Sequence, residues 1–250
     1  MTGRPHKDQY NGSLISIPGG SSYIDIYNNK LHGISADPNP MSSVENASAI
    51  WVFNASHVNI YNNDIYDNNI GIAWKVNPNY VNVYQNHFYN CTKAAVKAHP
   101  QTTNNTDYFI YQNVVRNCGR FVEASDVMAN PYYNLKVYNN TIYNAVASSG
   151  AVIGSLNYNY SRNAEVYNNI FSFGGTTSLF LNYYSGASFP AYADYNNFYG
   201  TGHWDLNYQN SYGTLSQWRT ASGADLYSIT SDPLFSNASG ANPEDYKLQT

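Results

Sequence analysis

Only 11% of the 250 residues are charged, so the places where charge gathers are informative. Residues 75 to 126 hold Lys75, Lys93, Lys97, Arg116 and Arg120, five of the 12 basic residues, together with Asp107, Glu123 and Asp126. His99 stands two residues after Lys97, and the aromatic pair Trp51 and Phe53 precedes the group. Cations hold carboxylates, aromatic rings stack on sugar faces, and a Lys–His–Glu set can move protons. The set therefore suits recognition of, or chemistry on, an acidic sugar polymer. The plainer alternative is a solvated outer face on which Lys97 and Glu123 pair.

Such a set acts together only if the fold collects it, and the sequence contains a repeat able to do so. Seven segments share an apolar-x-apolar pattern followed by Tyr, Asn or Gln, then Asn. They end at Asn29, Asn63, Asn86, Asn113, Asn140, Asn169 and Asn197, at intervals of 23 to 34 residues. The runs between them are short and alternating, as in Val58-Asn59-Ile60-Tyr61, and no amphipathic stretch of helical length occurs. A period of this length with three short strands is one coil of a solenoid, and successive coils stack as parallel strands. The expected fold is all-β, a right-handed parallel β-helix of about seven to eight coils over residues 1–200. Residues 201–250 are expected to form an irregular C-terminal coil and cap of the same domain.

The repeat sets further expectations. Val58 and Ile60 should point inward and Tyr61 outward, with Asn63 in a left-handed bend where stacked Asn side chains satisfy backbone groups. A second outward row is expected from Tyr66, Tyr89, Arg116 and Tyr143. Strand alternation puts Val96 and Ala98 inward, and Lys97, His99, Lys75, Glu123, Trp51 and Phe53 outward. The tyrosine row reads as a glycan-binding strip or as cross-rung stacking that stabilises the coils. Cys91 and Cys118, each five residues after a repeat Asn, should stack on adjacent coils, close enough for a disulfide or as two free thiols.

Composition narrows the partners. The formal charge of −4 and pI near 5.8 argue against nucleic acid, which needs a basic surface. No apolar run reaches the roughly 20 residues of a membrane span. The polar N-terminus is not a signal peptide, so a secreted parent would have lost its leader, and both ends read as cut or minimal.

The strings VNIYNNDIYDNNIGI, LKVYNNTIYNA and AEVYNNIFSF, with the tail LSQWRTASGADLYSITSDPLF, resemble the pectate-lyase-like right-handed β-helix superfamily over about residues 14 to 250. Members include polysaccharide lyases, glycoside hydrolases, epimerases, tailspikes and plain surface proteins. The resemblance implies an extracellular or cell-surface protein with a polysaccharide partner. A lyase reading would make Lys97 the base, its proton affinity lowered by Lys75. Lys75 and Arg120 would bind carboxylate, His99 would be proton donor or second base, and Glu123 would complete the catalytic set. Trp51, Phe53, Tyr89, Arg116 and Asp126 would contact substrate. Lyases of this fold often use calcium, but no tight acidic cluster supports it here, and Asp64 and Asp67 read as turn chemistry. The alternatives are a non-catalytic glycan-binding or surface module, or a structural coil stack within a larger protein.

Overall fold

The computed structural model describes residues 12–34, 47–76, 78–100, 106–124, 133–144, 152–156, 163–183, 192–206, 210–237, 240 and 242–249. The backbone forms a right-handed parallel β-helix. Three strand stacks run its length. Stack A holds the longer strands Ser48–Phe53, Ile70–Val76, Ala94–Pro100 and Val122–Ala124. Stack B is a seven-stranded sheet from Ser22–Tyr27 to Tyr192–Asp194, and stack C holds three-residue strands such as Asp64–Tyr66 and His87–Tyr89. Among the described residues, strands of successive coils pair in parallel, and the one antiparallel strand pair joins Asn197–Leu206 to Asn210–Tyr212 near the end.

Stack B follows the alternation expected of a half-buried strand. Val58, Ile60, Val81, Val83, Ile110, Val137 and Val166 fill one continuous core, and Tyr61, Tyr84, Tyr111 and Tyr138 face outward in register. Stack A departs from it. Ala49 and Ile50, Ala95 and Val96, and Phe121 and Val122 are consecutive pairs that both enter the core. The chain bends there, and at Gly71 the bend brings the backbone so close that a Cβ would lie 2.5 Å from the Ala95 carbonyl oxygen and 2.9 Å from the Phe88 ring. Ile70 is thereby turned away from the main core to join Trp51 and Ala73 in a separate apolar cluster.

The two-residue corner between stacks B and C builds the asparagine ladder. Asn63 Nδ2 donates to the Asn86 side chain and to the carbonyls of Ile26 and Tyr61, and Asn86, Asn113, Asn140 and Asn169 repeat the pattern. The left-handed residue is the one before each ladder Asn, Asn62 rather than Asn63, with φ of 52°. An interior ladder Asn such as Asn113 uses its side-chain amide on five groups, and the left-handed conformation falls on its exposed neighbour. The last repeat is also displaced by one residue. Asn196, not Asn197, continues the ladder, Asp194 takes the tyrosine position, and Tyr195 takes the left-handed one.

The next corner carries a lesser ladder. Asn68 bridges Ile34 N and Leu31 O, and one rung on Cys91 takes the equivalent place, its Sγ 4.0 Å from Ile65 O. Cys91 N donates to Cys118 Sγ at 3.4 Å, and both cysteines are buried free thiols. At the C-terminal end, helix α1 (Leu215–Ser222) closes the core with Trp218 and Leu215. Its first turn is held by a Thr214–Gln217 capping box and its last by left-handed Gly223.

Candidate functional site

The outer face of stack A carries the charged set, and register sorts it into two columns. Trp51 pairs with Ala73, Ala73 with Lys97, and Lys97 with Glu123. Phe53 pairs with Lys75, and Lys75 with His99. Lys97, His99, Lys75 and Glu123 thus lie on one sheet face, in adjacent columns.

Their accessibility differs from the outward expectation. Lys97 and Glu123 point away from the main core yet are buried, with side chains 3% and 9% exposed. Lys97 Nζ stands 3.9 Å from Glu123 Oε1, and Arg120 Nη1 stands 3.4 Å from Glu123 Oε2. Trp51, expected as an exposed sugar platform, is 6% exposed, because Ile70 and Ala73 pack against it on this face. The rung neighbour of Lys97 is Ala73, and Lys75 sits beside His99, diagonal to Lys97.

What remains open to solvent is the second column. Phe53 is exposed at 39%, and Lys75 and His99 are half-buried. Arg120 is also half-buried, at the edge of the buried pair. Arg116 and Tyr89 belong to another face. They are partners in stack C, where the Arg116 guanidinium lies 5.4 Å from the Tyr89 ring centroid. Asp126 lies outside the described residues.

In stack C, Asp64, expected with Asp67 only as turn chemistry, faces His87. Asp64 Oδ1 stands 3.6 Å from His87 Nδ1, and burial, against the pull of Asp64, lowers the His87 pKa. The neutral imidazole is the form this environment favours. Asp67 accepts a hydrogen bond from Asn90 on the next rung, which is ordinary ladder behaviour. Among the described residues, no three His, Cys, Asp or Glu side chains gather to hold a metal ion. No helix among them is long and apolar enough to cross a membrane.

The tyrosine row is continuous. Tyr27, Tyr61, Tyr84, Tyr111, Tyr138 and Tyr167 stack with centroids 4.9–5.1 Å apart and planes within 8° of parallel. A second row runs His32, Tyr66, Tyr89 at 4.6–4.7 Å. Rings at this spacing cover one another's faces, so a sugar ring cannot stack between them. They present edges and hydroxyls. Burial and the next tyrosine along push the Tyr111 and Tyr138 phenols up, so the row stays protonated and uncharged at neutral pH. Compared with known proteins, the chain matches no family model, no curated protein and no solved structure.

Proposed function

We propose that the protein is an extracellular polysaccharide-binding β-helix of the pectate-lyase-like kind, and that stack A meets an acidic glycan through Phe53, Lys75 and His99. One observation carries this reading: register sets an exposed aromatic ring, a cation and an imidazole on three successive rungs of one column. Phe53 would lie against a sugar face, Lys75 would hold a uronate carboxylate, and His99 would hydrogen-bond the adjoining residue. The buried Lys97–Glu123–Arg120 set flanks that column on the same face and does not itself meet polymer.

Elimination is the second reading, favoured by one contact. His99 is the rung neighbour of Lys75, so an imidazole able to take the proton stands beside the cation that would hold the carboxylate. Here His99, not Lys97, is the base.

Affinity electrophoresis in gels containing polygalacturonate, alginate or a glycosaminoglycan tests the binding. Retardation by at least one polyanion is expected at low salt and should fade as salt rises. Lys75→Ala and Phe53→Ala should each weaken it about tenfold, the effect of losing one charge-assisted bond or one stacking contact. No retardation by any polyanion at low salt removes the proposal. Ultraviolet absorbance from unsaturated uronate products, lost in His99→Ala, would establish the lyase, and its absence with bound polymer leaves the binding module.

A further inference from the structure

The corner between stacks B and C carries a second surface. On the first six rungs the left-handed residues that precede the ladder Asn are Asn28, Asn62, Gln85, Gln112, Asn139 and Asn168, all with φ between 52° and 56° and all exposed; on the last rung it is Tyr195. Each of the six bears a carboxamide. The backbone alone does not require this. Asn tolerates the left-handed region, but Gln has no such advantage, and Gly would fit best. What Asn and Gln share is an uncharged head with two donors and an acceptor.

These amides do not bond one another. Side chains at other stacked positions do so, as Asp67 with Asn90, Asn117 with Asn144, Asp25 with Asn59, and Asn59 with Asn82. The six corner amides hydrogen-bond no other described residue. Beside each stands a tyrosine of the stacked row, its hydroxyl directed outward with the same rung spacing of about 5 Å. The two rows make an uncharged ribbon along the corner, roughly 25 Å long, five rung spacings of about 4.8 Å. At its C-terminal end the amide column continues as Tyr195 and Tyr227, whose rings stack at 5.4 Å. Tyr227 is 67% exposed. These two rings, with Asn168, Asn197 and Ile229, line an open groove of about 390 Å³. Asn197 Oδ1 is buried there without a hydrogen-bond partner among the described residues.

We propose that this tyrosine–carboxamide ribbon binds a neutral, extended, equatorially linked polysaccharide lying along the solenoid axis, with one sugar residue in the Tyr195–Tyr227 groove. A sugar residue in such a chain is close in length to one rung, and alternate residues turn the same edge to the ribbon, so like hydroxyls meet every second amide. Uncharged donors and acceptors match hydroxyls without the desolvation cost of ions. The ribbon's faces are closed to stacking, which leaves hydrogen bonding to the row and one aromatic contact, Tyr227, at its end. This goes beyond the acidic-glycan reading and names a different face and ligand.

Calorimetric titration with cello-, xylo- and malto-hexaose tests it. The first two should bind, and helical maltohexaose should bind at least tenfold more weakly. In the double variant Gln85→Gly, Gln112→Gly the amides are lost while glycine suits the backbone, so folding is kept and affinity should fall at least tenfold. Tyr227→Ala should weaken hexaoses similarly. The proposal is overturned if no neutral hexaose binds or if the double variant binds as well as the wild type. Polyanion binding in the same samples reports on stack A separately, so either proposal can fail alone.

Discussion

Asn196 Nδ2 donates to Asp225 Oδ1 at 3.0 Å, so the asparagine ladder ends on a carboxylate rather than on another amide. Asp225 is fully buried, and its oxygens accept three bonds. Oδ1 takes Asn196 and Ser228, and Oδ2 takes Trp218 Nε1 at 2.9 Å. Ser228 Oγ meanwhile accepts Asn196 N, the backbone bond that ladder Asn residues accept elsewhere. Arg219 donates to the carbonyls of Asp225 and Ser228 and ties helix α1 to the same knot. An amide could continue the ladder, but its NH2 group would face the Trp218 donor. An acceptor-only group is what lets the coils stop.

Asp225→Asn should therefore destabilise the fold by about 1–3 kcal/mol, the cost of a buried unsatisfied donor. Burial raises the Asp225 pKa against the three bonds that lower it. With the folded value above the unfolded one, the unfolded chain releases its proton first. The group's contribution is complete below the ordinary carboxylate range and is lost as pH rises through the raised folded value. Urea unfolding of wild type and variant at a series of pH values should show that falling contribution in the wild type alone. Equal stability of wild type and variant across the whole pH series would refute the capping role.

Much of this was legible in the sequence, and the failures have physical causes. The Tyr-Asn-Asn triplets exposed the coil because one corner is geometrically uniform. The last triplet misled because Tyr195-Asn196-Asn197 matches the pattern by identity, while the backbone fits Asp194-Tyr195-Asn196 into the same places. Trp51 and Lys97 misled for another reason. Simple alternation says which way a side chain points, not whether that side is covered, and consecutive inward residues such as Ala95 and Val96 break the period itself. The corner amides were visible as residues, but their meaning needed the finding that neighbouring ladders bond and this one does not.

The interior of the ladder should be costlier to break than its first rung. Asn113 Nδ2 serves Val83 O, Tyr111 O and Asn140 Oδ1, while its own Oδ1 accepts from Asn86 N and Nδ2. Asn113→Ala orphans several buried groups and should cost at least about 3 kcal/mol. Asn29 bonds to Tyr27 O and Asn63 at a more open rung, so Asn29→Ala should cost about 1 kcal/mol. Thermal unfolding of both variants gives the comparison, and equal losses would mean that the ladder does not act through buried groups.

The two cysteines should resist reagents. Hydrogen bonding to Cys118, together with burial, raises the Cys91 pKa well above 9.0, and neither thiol reaches solvent. Thiolate is the reactive form, so alkylation by iodoacetamide at pH 8 should be slow and should accelerate only as urea opens the fold. Rapid labelling of both cysteines in the folded protein would show that this corner is open.

The buried ion pair separates support from catalysis. Lys97→Met removes a cation and leaves the Glu123 carboxylate buried with Arg120 as its remaining charged neighbour at 3.4 Å. The expected loss is about 3 kcal/mol, typical of breaking a buried pair on one side. Neutralising both, in Lys97→Met with Glu123→Gln, should recover part of it, since the uncompensated charge is gone. A catalytic lysine would behave otherwise: removing it relieves strain or leaves stability unchanged, and no second substitution restores what was lost. Chemical denaturation of the two single variants and the double one decides between them. If Lys97→Met is as stable as the wild type, the pair is not structural and Lys97 returns as a candidate for chemistry.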